Sequence, residues 1–137
     1  MSDQLDETHA QVGLAALAAN PMLVVFDGVV PNPTPDPPYL LAYTRVEWPR
    51  DGIGTAINGT QVTITTTYTL HCVGLTAAAA RAVQMQARSS LLNLRPVIAG
   101  RNCSPIKQVE ARSAARDETT GRLVMDAVSK YDFVSVG

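Results

Sequence analysis

The chain has 137 residues, of which 46% are hydrophobic, 17% charged and only 5% aromatic. That length and balance fit one globular domain spanning 1–137 and exclude a disordered chain; a core of this size needs neither metal nor disulfides. The net charge of −1 conceals a division, since residues 1–80 carry two basic and seven acidic groups (−5) and residues 81–137 nine basic and five acidic ones (+4). Such polarity is what head-to-tail association of copies requires, and charge scattered over solvated faces produces it equally well.

Residues 6–19 read as a helix, with Leu5, Val12, Ala16 and Ala19 on one stripe and Leu14 and Leu17 widening it. Asn20 is suited to a left-handed C-terminal cap, and Pro21 prevents continuation. Leu23–Phe26 is a short strand, Asp27-Gly28 a turn pair, and residues 31–38, with five prolines, a stiff surface loop. Tyr39–Trp48 is a strand with apolar groups on both sides, so both sheet faces should be covered near its start. Residues 49–60 are rich in turn formers and make a long hairpin tip.

Gln61–Val73 is the clearest strand. Val62, Ile64, Thr66, Tyr68, Leu70 and Cys72 point one way, and the intervening threonines and His71 point the other. Thr76 is a good N-cap for a helix to about Leu92, whose Ala80, Val83, Ala87 and Leu91 form a narrow stripe of mostly small side chains. On another flank Arg81, Met85 and Arg88 share the i, i+4, i+7 row, a candidate subunit contact whose alternative is a solvated surface. Val97-Ile98 is a brief strand, Pro105–Ser113 another, and residues 114–121 a charged connection. Leu123–Val136 closes the chain as a long strand with Met125, Ala127, Tyr131 and Phe133 inward. The order α-β-β-β-α-β-β predicts an α+β fold, a mostly antiparallel sheet with two helices packed on it.

Reactive chemistry is sparse. His71 and Cys72 are strand neighbours and face opposite sides, so they share no metal, and no Cys or His spacing resembles a zinc site. The DGIG segment lacks the lysine and hydroxyl residue of a phosphate loop, and no Gly-x-Ser-x-Gly elbow is present. An enzyme, a cofactor and a metal are therefore not expected. Met1–Glu7 is acidic and no basic leader precedes the next apolar stretch, so a signal peptide is not expected either. No apolar run reaches the ~20 residues of a membrane span, and Cys72 and Cys103 are expected as reduced thiols.

The succession of a helix ending in LAALAANPMLVVFDGVVP, a proline loop, PPYLLAYTRVE, a Thr-rich strand and an Ala-rich helix resembles the tail terminator proteins of long, flexible-tailed bacteriophages, particularly those of actinobacteria. The likeness runs over roughly residues 10–135, and Val25-Phe26-Asp27-Gly28 with Pro31 and Pro37-Pro38-Tyr39 carry it best. It implies a virion protein of the tail and neck, assembled in the bacterial cytoplasm. Copies would form a ring, typically sixfold, that ends tube polymerisation and offers a docking surface to the head. The implied partners are further copies of the chain, the major tail tube protein and a head–tail connector or stopper. Double-stranded DNA would pass through the lumen without specific binding, and no membrane is involved. Family proteins of this type have no catalytic residues to transfer.

Geometry permits such a ring. A globule of this length has a radius of gyration near ~14 Å, equivalent to a sphere about 36 Å across; four such touching spheres leave a hole of ~15 Å, too narrow for duplex DNA, and six leave ~36 Å. Two segments are candidates for reaching the tube or connector: the tip bearing Arg50, Asp51, Ile53 and Ile57, and the charged stretch bearing Arg112, Arg116, Asp117, Glu118 and Arg122. Since phosphate contacts from lysine and arginine give non-specific affinity, the acidic N-terminal part should contribute more to a DNA-passing bore than Arg81–Arg122. The competing readings are a stopper or adaptor of the same neck, a small ligand-binding domain or enzyme, and a basic nucleic-acid binder.

Overall fold

The computed structural model describes residues 2–48, 63–118 and 123–137. Helix α1 spans Ser2–Ala18. Its buried residues are His9, Gly13, Leu14 and Leu17, while Ala19, expected on the apolar stripe, is exposed. The buried side is thus rotated toward a histidine and a glycine, residues that hydrophobic periodicity does not count.

Asn20 is also a correction, because Asn93 (φ 66), not Asn20, is the left-handed non-glycine residue among those described. Asn20 acts through its side chain. Its Oδ1 accepts from the Met22 amide at 2.9 Å, and its Nδ2 donates to Gln86 Oε1 (3.1 Å) and Ser90 Oγ (3.0 Å) on the second helix.

Strand β1, Val25–Asp27, starts later than expected and pairs in parallel with β2, Tyr39–Glu47. Gly28 closes the turn after β1 at φ +74, a backbone conformation that costs a glycine little. The loop that follows contains two cis peptides, Asn32–Pro33 and Pro37–Pro38. β2 pairs antiparallel with β3, Thr63–Gly74, through a continuous register from Tyr39↔Val73 to Glu47↔Thr65. Helix α2, Ala77–Leu91, begins as expected: Thr76 is extended (φ −129, ψ 164) and its hydroxyl accepts from the Ala79 amide at 3.0 Å.

The remaining chain departs further from expectation. Val97-Ile98 is not a strand; Ile98 is buried while Val97 is 90% exposed. In its place β4 forms at Asn102–Cys103, followed by β5 at Lys107–Ala111 and β6 at Ala115–Asp117, inside the stretch expected to be a connection. All three pair antiparallel with the long strand β7, Val124–Val136, and a register shift lies between Gln108 and Glu110. Together they form one interrupted edge: Val97-Ile98 drops out of the expected strands and β4 and β6 join them, giving seven among the described residues. β7 also pairs with the whole length of β3, from Thr63↔Val136 to Gly74↔Met125. The path is β1-β2-β3-β7 with the broken edge beyond. Fold class and the placement of both helices are as expected, an α+β architecture with a mostly antiparallel sheet.

The helices cover one sheet face. Ile64, Thr66, Tyr68, Leu70 and Cys72 of β3 are all buried there, matching the expected alternation, beside Ala127, Ser129, Tyr131, Phe133 and Ser135 of β7. Ala80, Val83, Ala87 and Leu91 of α2 are the buried stripe the sequence predicts. On the opposite face Tyr39, Val73 and Val124 form a second, smaller cluster, with Phe26 and Val30 packed on it. The start of β2 is therefore covered from both sides. No helix among the described residues is long and apolar enough to cross a membrane.

Candidate functional site: the two margins of the sheet

Chemistry-bearing side chains are held in structural roles. Cys72 and Cys103 are free and buried, and burial pushes the Cys72 thiol up to about 12, so it carries no thiolate at neutral pH. No group of three His, Cys, Asp or Glu among the described residues is arranged to hold a metal. His9 is buried under α1. Its Nδ1 donates to the Leu5 carbonyl (2.7 Å), so Nε2 accepts from the Ser135 hydroxyl (2.7 Å), whose oxygen in turn accepts from Arg101 Nε at 2.9 Å. Burial lowers its pKa. His71 lies on the other sheet face, where its Nδ1 meets Asp126 Oδ2 at 2.8 Å and the Tyr43 ring stands edge-on at 5.6 Å. The hydrogen bond to Asp126 raises its pKa. The two histidines face opposite sides of the sheet and form no joint site.

The predicted row on α2 is intact and outward: Arg81, Met85 and Arg88 are exposed, Met85 at 70%. Met85, Arg88, Ser89 and Leu92 line a shallow groove of ≈ 300 Å³. Neither arginine has a carboxylate partner among the described residues. One turn away on the same flank, Gln84 Nε2 donates to Ser129 Oγ (2.7 Å) and to the Arg112 carbonyl (3.2 Å). The structure therefore places Arg112 beside the α2 row, on the margin formed by α2 and the broken edge.

The rest of the charged stretch pairs with itself. Arg112 Nε bonds Glu110 at 2.7 Å, and Arg116 Nη2 bonds Glu118 at 2.8 Å; Asp117 ends β6. Its Arg122, like Arg50, Asp51, Ile53 and Ile57 of the hairpin tip, lies outside the described residues. The strand registers nonetheless separate the flanks of the two candidate segments. The hairpin tip joins the Glu47 end of β2 to the Thr63 end of β3, whereas Asp117 and Val124 sit beside the Gly74 end. They belong to opposite ends of a sheet whose β3 is roughly 36–40 Å long.

Sequence reasoning missed the opposite margin. There α1 and β1 enclose a groove of ≈ 210 Å³ lined by Gln11, Leu14, Ala15, Ala18, Val25 and Asp27. Met22 and Val24 are exposed between the same two elements. The available signal was charge: residues 1–44 contain Asp3, Asp6, Glu7, Asp27 and Asp36 and no lysine or arginine, and residues 52–109 contain five bases and no acid.

No family model matches the chain, and no curated protein matches it by sequence. Among solved structures it is similar to a chain from the virion of a native gene transfer agent particle, with a TM-score of 0.59, 18% identity, and coverage of 89% of this chain and 84% of that one. At that identity the likeness is one of fold, extending over nearly the whole of both chains.

Proposed function

We propose that the protein is a structural component of a phage-like virion, and specifically the terminator of a tail tube: a ring, sixfold as the resemblance implies, that ends tube growth and presents a docking surface to the head. The observation that supports this best is the fold shared over 89% of the chain with a component of a gene transfer agent virion. The resemblance of the Val25-Phe26-Asp27-Gly28 and Pro37-Pro38-Tyr39 segments to tail terminators favours this role among virion proteins.

Shape does the work in such a role. Copies close a collar through the margin bearing Arg81, Met85 and Arg88, and DNA passes through the bore without being held. The strands flanking the segment around Ile53 and Ile57 and those flanking the Asp117–Arg122 part of the charged segment end at opposite ends of the sheet, which supports a division in which one serves the tube and the other the connector.

Electron microscopy of particles from which the gene has been deleted tests the reading. The expected outcome is tails of uncontrolled length that carry no head, and normal tails would refute it. Deleting residues 51–57 should leave rings intact and abolish capping; full capping would remove that segment from the contact. Binding of the purified chain to the portal side, with none to the major tail protein, would reassign it as a stopper or adaptor.

A further inference from the structure

We infer that the basic flank of α2 on one copy seats in the groove between α1 and β1 on the next, a contact that rests on the ring reading and names the surfaces that close it. Both sheet edges argue against joining by backbone pairing. β1 is three residues long and followed by prolines, and the opposite edge is split into β4, β5 and β6 by the segments 104–106, which includes Pro105, and 112–114, with a register shift inside β5 and Lys107, Arg112 and Arg116 along it. Short, interrupted and charged edges are the devices that prevent strand addition. Association must then run through side chains.

The two grooves complement each other in shape and sign. Met85 stands 70% exposed between Arg81 and Arg88, which are two helical turns apart, about 10.5 Å. The α1–β1 groove is floored by Leu14 and Val25 and walled by the exposed, small Ala15 and Ala18, room for an unbranched thioether side chain. Asp27 lies at its rim and Glu7 is two turns along α1 from Leu14, while residues 1–44, which supply the groove, contain no lysine or arginine. α1 packs over β1, β2 and β3 and α2 over β3 and β7, so the grooves occupy opposite margins of one molecule. That is the arrangement a heterologous, head-to-tail contact needs, and it lets every copy use both surfaces at once. It also places Arg81 and Arg88 in contacts between subunits and keeps them out of the bore.

The test is a cysteine pair, Met85→Cys with Ala15→Cys, in the full chain. Cys72 and Cys103 are buried and do not compete. Under mild oxidation, a ladder of disulfide-linked multimers should form from the double variant and from neither single one, both in concentrated protein and in purified particles. Reversing Arg88→Glu should weaken self-association about tenfold or more, and Asp27→Arg added to it should recover most of that loss. Copies that assemble, by native mass or at tube tips, without forming the ladder overturn this contact and leave the ring standing. A chain that stays single in solution and in particles overturns both.

Discussion

Tyr68 reaches from the sheet into the backbone of α1. Its hydroxyl donates to the His9 carbonyl at 2.6 Å and accepts from the Gly13 amide at 3.0 Å, the two groups that a regular turn joins to each other. Position 13 must lack a side chain, because a Cβ there would clash with Cζ and both Cε atoms of the Tyr68 ring. Gly13→Ala should lower stability by about 1–3 kcal/mol through overpacking, and Tyr68→Phe by about 1–3 kcal/mol through loss of the hydroxyl's two buried hydrogen bonds, both read by urea denaturation. The histidines give opposed pH dependences. His71 has a folded pKa raised above 6.5, so its contribution is complete below 6.5 and fades as pH rises through the folded value. His9 has a folded pKa below 6.5, so the fold loses stability as pH falls beneath 6.5 toward that value. Asp6 on α1 opposes the His9 shift and Arg101 reinforces it. His71→Asn should flatten stability on the alkaline side of 6.5, and His9→Gln on the acid side, whatever each does to stability elsewhere.

Elements differ in how openly the sequence declares them. In α2 an N-cap, an alanine run and a buried stripe all agree, and the helix falls where the sequence places it; Thr76→Ala should cost about 1 kcal/mol in thermal or chemical denaturation. β3 is as plain, because one face is buried and the other half-open, which writes a period of two into the residues. The stretch from Leu92 to Glu118 is legible only at β5, which falls inside the strand expected over Pro105–Ser113. β4 and β6, two and three residues long and each paired only with β7, are too short to show a period. α1 is legible as a helix but not in its orientation, since His9 and Gly13 are buried on account of hydrogen bonds that Ser135 and Tyr68 supply from distant strands. Asn20 is the same case: its partners lie 66 and 70 residues away.

For the whole molecule, the row at Arg81, Met85 and Arg88 was readable because its members share one helix, whereas the α1–β1 groove joins residues 11–18 to 25–27 and exists only after folding. β3 and β7 run side by side through twelve paired positions between the two ends from which the candidate tube and connector segments depart. Load applied along that axis would shear this ladder, so its hydrogen bonds share the force; a sideways pull would unzip them one by one. Single-molecule pulling between positions 48 and 118 should therefore meet a distinctly higher rupture force than pulling across the sheet from 27 to 109.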